Sequence, residues 1–142
     1  MRTHAGTVKP SLGIGWRLTS MTGWGVYGIN LAMAMSADGR FAPVSLAAPV
    51  GSGSNYPPHG AAIEAAVAQY REFTRLTGDA AGQKVVCPFP VLHPLGNQLR
   101  RLSQLGPDGH AERMSIAGSP DIGVVFMEKP PSAEAAVRRA GA

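Results

Sequence analysis

Between Leu12 and Ala47 the chain passes through a short apolar segment (LGIGWR, Leu12 to Arg17), a loop, and a helix-like segment (VYGINLAMAMS, Val26 to Ser36). The turn Asp38-Gly39 and a second apolar run (FAPVSLA, Phe41 to Ala47) follow. Strand, glycine-rich loop, helix and strand in that order make one βαβ unit, whose right-handed crossover implies a parallel strand pair. Parallel pairs need helices to cover their faces, so this unit alone points to an α/β class. In the helix-like segment only Asn30 and Ser36 are clearly polar, which predicts burial on most sides.

The rest of the chain repeats the alternation. Pro49 to Gly60 (PVGSGSNYPPHG) is a loop by composition, and Ala61 to Thr77 is an amphipathic helix closed by Gly78. Its apolar stripe is Ile63, Ala66, Val67, Tyr70, Phe73 and Leu76, opposite Glu64, Gln69, Arg71, Glu72 and Arg75. Lys84 to Leu92 (KVVCPFPVL) reads as a buried strand whose ladder Pro88 and Pro90 interrupt, which puts its end at a sheet edge. Asn97 to Leu105 suggests one or two helical turns, and Gly118 to Met127 a fourth strand. Ser132 to Arg139 reads as a last helix capped by Ser132, with Glu134 in its first turn. The expected fold is α/β: a Rossmann-like, mainly parallel sheet with flanking helices over residues 12–142, after a flexible N-terminus at 1–11. A doubly wound domain usually has five or six strands, so four imply either an unusually small domain or part of a larger one.

Composition narrows the function classes. With 44% hydrophobic against 15% charged residues the chain can bury a core. The net charge of +4 is spread along the sequence, which suits anionic ligands such as nucleotides and does not suggest a nucleic-acid groove. A single cysteine, Cys87, excludes an internal disulfide and a cysteine-built metal site, fits a reducing compartment, and reads as a small buried hydrophobe. Neither a signal-peptide h-region nor a run of about 18 apolar residues occurs, so the expectation is a cytoplasmic protein with no integral membrane segment.

The stretch TGWGVYG sets Gly23, Gly25 and Gly28 in the spacing G-x-G-x-x-G. A dinucleotide fingerprint needs its first glycine directly after strand one and an acidic residue about 20 positions on. Both conditions fail: Thr19 to Thr22 intervene, and no Asp or Glu occurs between Asp38 and Glu64. No Gly-Lys-Ser/Thr follows, which excludes a P-loop. Two readings stay open, a loop whose N–H groups meet a phosphate and a set of glycines that merely permit tight turns and close helix packing.

The wider segment GIGWRLTSMTGWGVYGINLAMAMSADGRFAPV resembles the opening of the N-terminal domain of group-1, GT-B-type glycosyltransferases, where a strand, a glycine loop and a helix with the pattern GVxxYxxNLAxAL begin the first Rossmann-like half. Gly25, Tyr27, Asn30, Leu31 and Ala32 hold the corresponding places, and PFPVLHPLGNQL (Pro88 to Leu99) and SPDIGVVFMEKPPSAEAAVRRA (Ser119 to Ala140) are similar to later segments. The resemblance implies an acceptor-side domain facing a C-terminal, donor-binding domain or partner chain across a cleft, with a nucleotide-sugar donor and a carbohydrate or other acceptor. It makes Gly23, Trp24 and Gly25 the diphosphate contacts and puts Tyr27 beside the substrate; Trp24 reads equally as a packing residue or as a face for a sugar ring. In that family the donor domain carries a pair of glutamates with seven residues between them. Only Glu64 and Glu72 stand at that interval, in an amphipathic helix where they read as a solvated face. With no donor half in the sequence, the chain is expected to be inactive in sugar transfer by itself.

Of the other chemistry-bearing residues, His93 follows an apolar strand, where α/β sheets gather ligands. By the resemblance it is the catalytic candidate touching donor sugar, with Asn97 from the same turn, HPLGN, binding substrate. The competing reading of His93 is a histidine bonded to a nearby backbone carbonyl. Glu128, at the end of the fourth strand, is a candidate for holding an acceptor hydroxyl, against solvation beside Lys129. Arg100, Arg101 and Arg113 are candidate phosphate contacts or a solvated face. His4, His59 and His110 lack ligand spacing, so no metal is expected, and no cofactor is implied. Gly51-Ser52-Gly53-Ser54 lacks the strand-to-helix elbow of a serine nucleophile. The alternative to an enzyme is a non-catalytic Rossmann-like module that binds a nucleotide or a partner.

Overall fold

The computed structural model describes residues 9–50, 56–78, 84–96, 99, 115–126 and 132–141. In chain order they form β1 (Ser11–Ile14), α1 (Gly23–Asp38), β2 (Ala42–Ser45), α2 (Pro57–Thr77), β3 (Lys84–Val86), β4 (Val91–Leu95), β5 (Ser115–Ala117), β6 (Asp121–Val125) and α3 (Ala133–Ala140). The main sheet has the order β2-β1-β4-β6 with every neighbouring pair parallel, and β3 and β5 form a separate parallel pair. The fold is thus α/β with a mainly parallel sheet flanked by helices, as the alternation requires.

One expected strand is broken in two, and another is joined by an unexpected neighbour. Lys84 to Leu92 bends at Pro88 and Pro90 into β3 and β4, whereas the strand expected over Gly118 to Met127 is β6, and β5, which the sequence did not suggest, precedes it across a cis Ser119–Pro120 bond. The two junctions lie side by side: the Cys87 N–H donates to Ala117 O at 2.8 Å, and Ser119 Oγ donates to Cys87 O at 2.8 Å. The two chains therefore step together from the small sheet to the large one. The expected edge position is overturned, since β4 lies between β1 and β6 and all five of its residues are buried. Pro94 is tolerated there because its nitrogen faces the β1 side, where pairing ends at Ile14↔Leu92 with the Gly15 N–H on Leu92 O.

Helix α1 starts three residues earlier than the pattern suggests, because Thr22 caps it: its Oγ1 accepts from the Gly25 N–H at 3.0 Å. The expectation of burial on most sides fails as well. Only Gly25, Gly28, Ile29 and Ala32 are buried, and Asn30, Ala34, Ser36 and Ala37 face solvent, alanine being as acceptable on a helix surface as in a core. Helix α2 starts at Pro57 rather than Ala61, its prolines falling in the first turn, where a missing N–H costs nothing. Ile63, Ala66 and Phe73 are buried as expected, whereas Leu76 is 70% exposed, in the turn past Phe73.

The sheet buries both faces. Ile14, Leu92 and the partly buried Leu12 and Val124 meet α1 and the start of α2 through Ile29, Ala32, Ile63 and Ala66. On the opposite face Leu46, Val91 and Cys87 gather with Phe73. The short helix expected within 97–105 lies, apart from Leu99, outside the described residues.

Candidate functional site

The strand order reverses between β1 and β4: β1 continues through α1 to β2 on one side, and β4 lies on the other. The carboxyl ends of these strands meet at a topological switch point, the position at which open α/β sheets bind ligands. An aromatic group stands there. Trp16, just after β1, is fully buried and its Nε1–H donates to Trp24 O at 2.9 Å. Its ring stacks on Tyr27 at 5.9 Å and meets Trp24 edge-on at 5.3 Å. Phe126, just after β6, lies 4.8 Å from the Trp24 ring and 4.9 Å from that of Tyr27, and is 58% exposed. Trp24 and Tyr27 are thus brought together, on the first two turns of α1. Trp16 and Phe126 were not singled out by sequence, although both are aromatic residues near the carboxyl end of an apolar segment, which is the signal that could have found them.

The glycine spacing acquires a packing explanation at two of its three positions. A Cβ on Gly25 would collide with the carbonyl oxygen of Thr19, and one on Gly28 would lie 2.6 Å from Trp16 Nε1. Helix α1 can approach the β1 loop this closely only because both lack side chains. The Gly25 N–H is also already engaged by Thr22 Oγ1. Gly23 differs: a Cβ there meets nothing within 4 Å.

His93 lies inside β4 rather than in the turn after it, and is 2% exposed. Its Nε2 is 2.6 Å from Asp121 Oδ1, which also accepts from the Gly118 N–H at 2.6 Å. A carboxylate only accepts, so Nε2 carries the proton. The Asp121 side chain is thus a partner of His93 that the sequence did not suggest. We expect Asp121→Ala to cost about 1–3 kcal/mol in urea denaturation, because it strands a buried donor, and Asp121→Asn, whose amide oxygen still accepts, to cost clearly less. Equal losses would show that the contact contributes little.

Cys87 is buried, and burial followed by the nearby Asp121 charge pushes its thiol above the usual range. A raised acid pKa means that the folded state resists losing the proton. Its contribution is complete below the unfolded thiol's pKa and is lost as pH rises past it. Stability measured through the alkaline range should therefore fall less steeply in Cys87→Ala than in the parent chain.

Asn97 and Glu128 lie outside the described residues, as do Arg100, Arg101 and Arg113. Glu64 and Glu72 are both exposed on α2, and Glu72 pairs with Arg75 at 2.6 Å. His59 sits in the first turn of α2 with Nε2 3.1 Å from Asn30 Oδ1. Among the described residues no three His, Cys, Asp or Glu side chains gather as a metal site, and no helix is long and apolar enough to cross a membrane. A separate groove of about 400 Å³ lies between α1 and α2, lined by Ala32, Met33, Ala62 and Ala66 among others. No protein-family model, no curated protein and no solved structure matches the chain.

Proposed function

We propose that this chain is the N-terminal, acceptor-side part of a glycosyltransferase-type cleft, taking a nucleotide-sugar donor at the β1/β4 switch point. A carbohydrate or other acceptor binds beside it, and a C-terminal donor domain or partner chain completes the cleft. One observation carries this reading: α1 opens at the reversal of strand order, beside the aromatic group Trp24, Tyr27 and Phe126. The positive end of the helix dipole favours a diphosphate, and aromatic faces suit a sugar ring or base. Within this reading the glycines divide their roles. The backbone of Gly23 and Trp24 meets the anion, and Gly25 lets the helix end sit against Thr19. A cytoplasmic location goes with it, in keeping with the single buried thiol of Cys87.

A second reading, a non-catalytic nucleotide- or partner-binding module, is favoured by His93. Buried and held by Asp121, it is not presented at the rim. Hydrolysis of the nucleotide sugar by the chain with and without a donor domain separates the two.

The test of binding is isothermal titration with UDP, GDP, ADP and their sugar conjugates, on the parent chain and on Gly23→Glu. Glutamate at the open first position of α1 suits the helix and should raise stability by about 0.5–1 kcal/mol, yet its charge should weaken a diphosphate about tenfold, equivalent to 1.4 kcal/mol. No binding to the folded parent chain, or equal binding by both, would sink the proposal. Phe126→Ala should lose several-fold through the stacking face alone, worth about 0.5–1.5 kcal/mol.

A further inference from the structure

We draw no further inference here: the strongest candidate, the apolar groove between α1 and α2 lined by Ala32, Met33, Ala62 and Ala66, carries nothing, because nothing in the structure shows what covers it.

Discussion

Trp16→Ala is expected to remove about 3–5 kcal/mol of stability, read as a shift of the urea midpoint at constant slope. Trp16 is the largest fully buried side chain, and its ring touches Trp24 and Tyr27 while its Nε1–H satisfies the Trp24 carbonyl. Truncation would thus open a cavity, end two ring contacts and remove the hydrogen bond to the Trp24 carbonyl at once. Against a total of about 5–15 kcal/mol for a domain, that loss brings the chain close to unfolding. Trp16→Phe separates the contributions: it keeps much of the packing and gives up the hydrogen bond, so about 1–2 kcal/mol should go. Because Trp16 joins β1 to the start of α1, both variants should also loosen the switch point, visible as faster exchange of the first α1 amides. A Trp16→Ala chain that melts like the parent would mean that this end of the sheet collapses onto the gap.

Gly25→Ala is expected to cost about 3 kcal/mol, a severe effect for a single methyl group. The added carbon would strike the carbonyl oxygen of Thr19, and Thr19 is itself buried, so the backbone of the β1 loop or the first turn of α1 must move. Gly23→Ala provides the control, since its methyl meets nothing; it should stabilise by up to about 1 kcal/mol through the reduced freedom of the unfolded chain. Opposite signs two residues apart would show that G-x-G here is a packing device at its second glycine. Losses of equal size would show a requirement of backbone conformation at both. The same comparison guards any ligand test, because a bulky change at Gly25 is expected to disrupt the fold itself, whereas one at Gly23 is not.

Much of the order of elements was legible because it rests on local signals. The 3.6-residue stripe of Ile63, Ala66, Tyr70 and Phe73, the capping hydroxyl of Ser132, and apolar runs bounded by glycine and proline act over a few residues. Errors arose where a partner distant in sequence decides. Pro88 and Pro90 argued for an edge, yet β4 is central, and it accommodates Pro94 because β1 turns away before that residue needs a donor. His93 appeared to end its strand, and only the parallel pairing of β4 with β6 brings Asp121 to it.

The candidate site divides along the same line. Sequence alone determined the α/β class, the parallel βαβ unit and the exclusion of a dinucleotide fingerprint or P-loop, because each follows from which residue types stand at short spacings. Only the tertiary structure decided why Gly25 and Gly28 are glycine, that Trp16 and Phe126 join Trp24 and Tyr27, and that Asp121 holds His93. Those outcomes depend on how closely a helix approaches a strand and on which side an N–H points, quantities that close packing and strand register set between residues far apart in the chain.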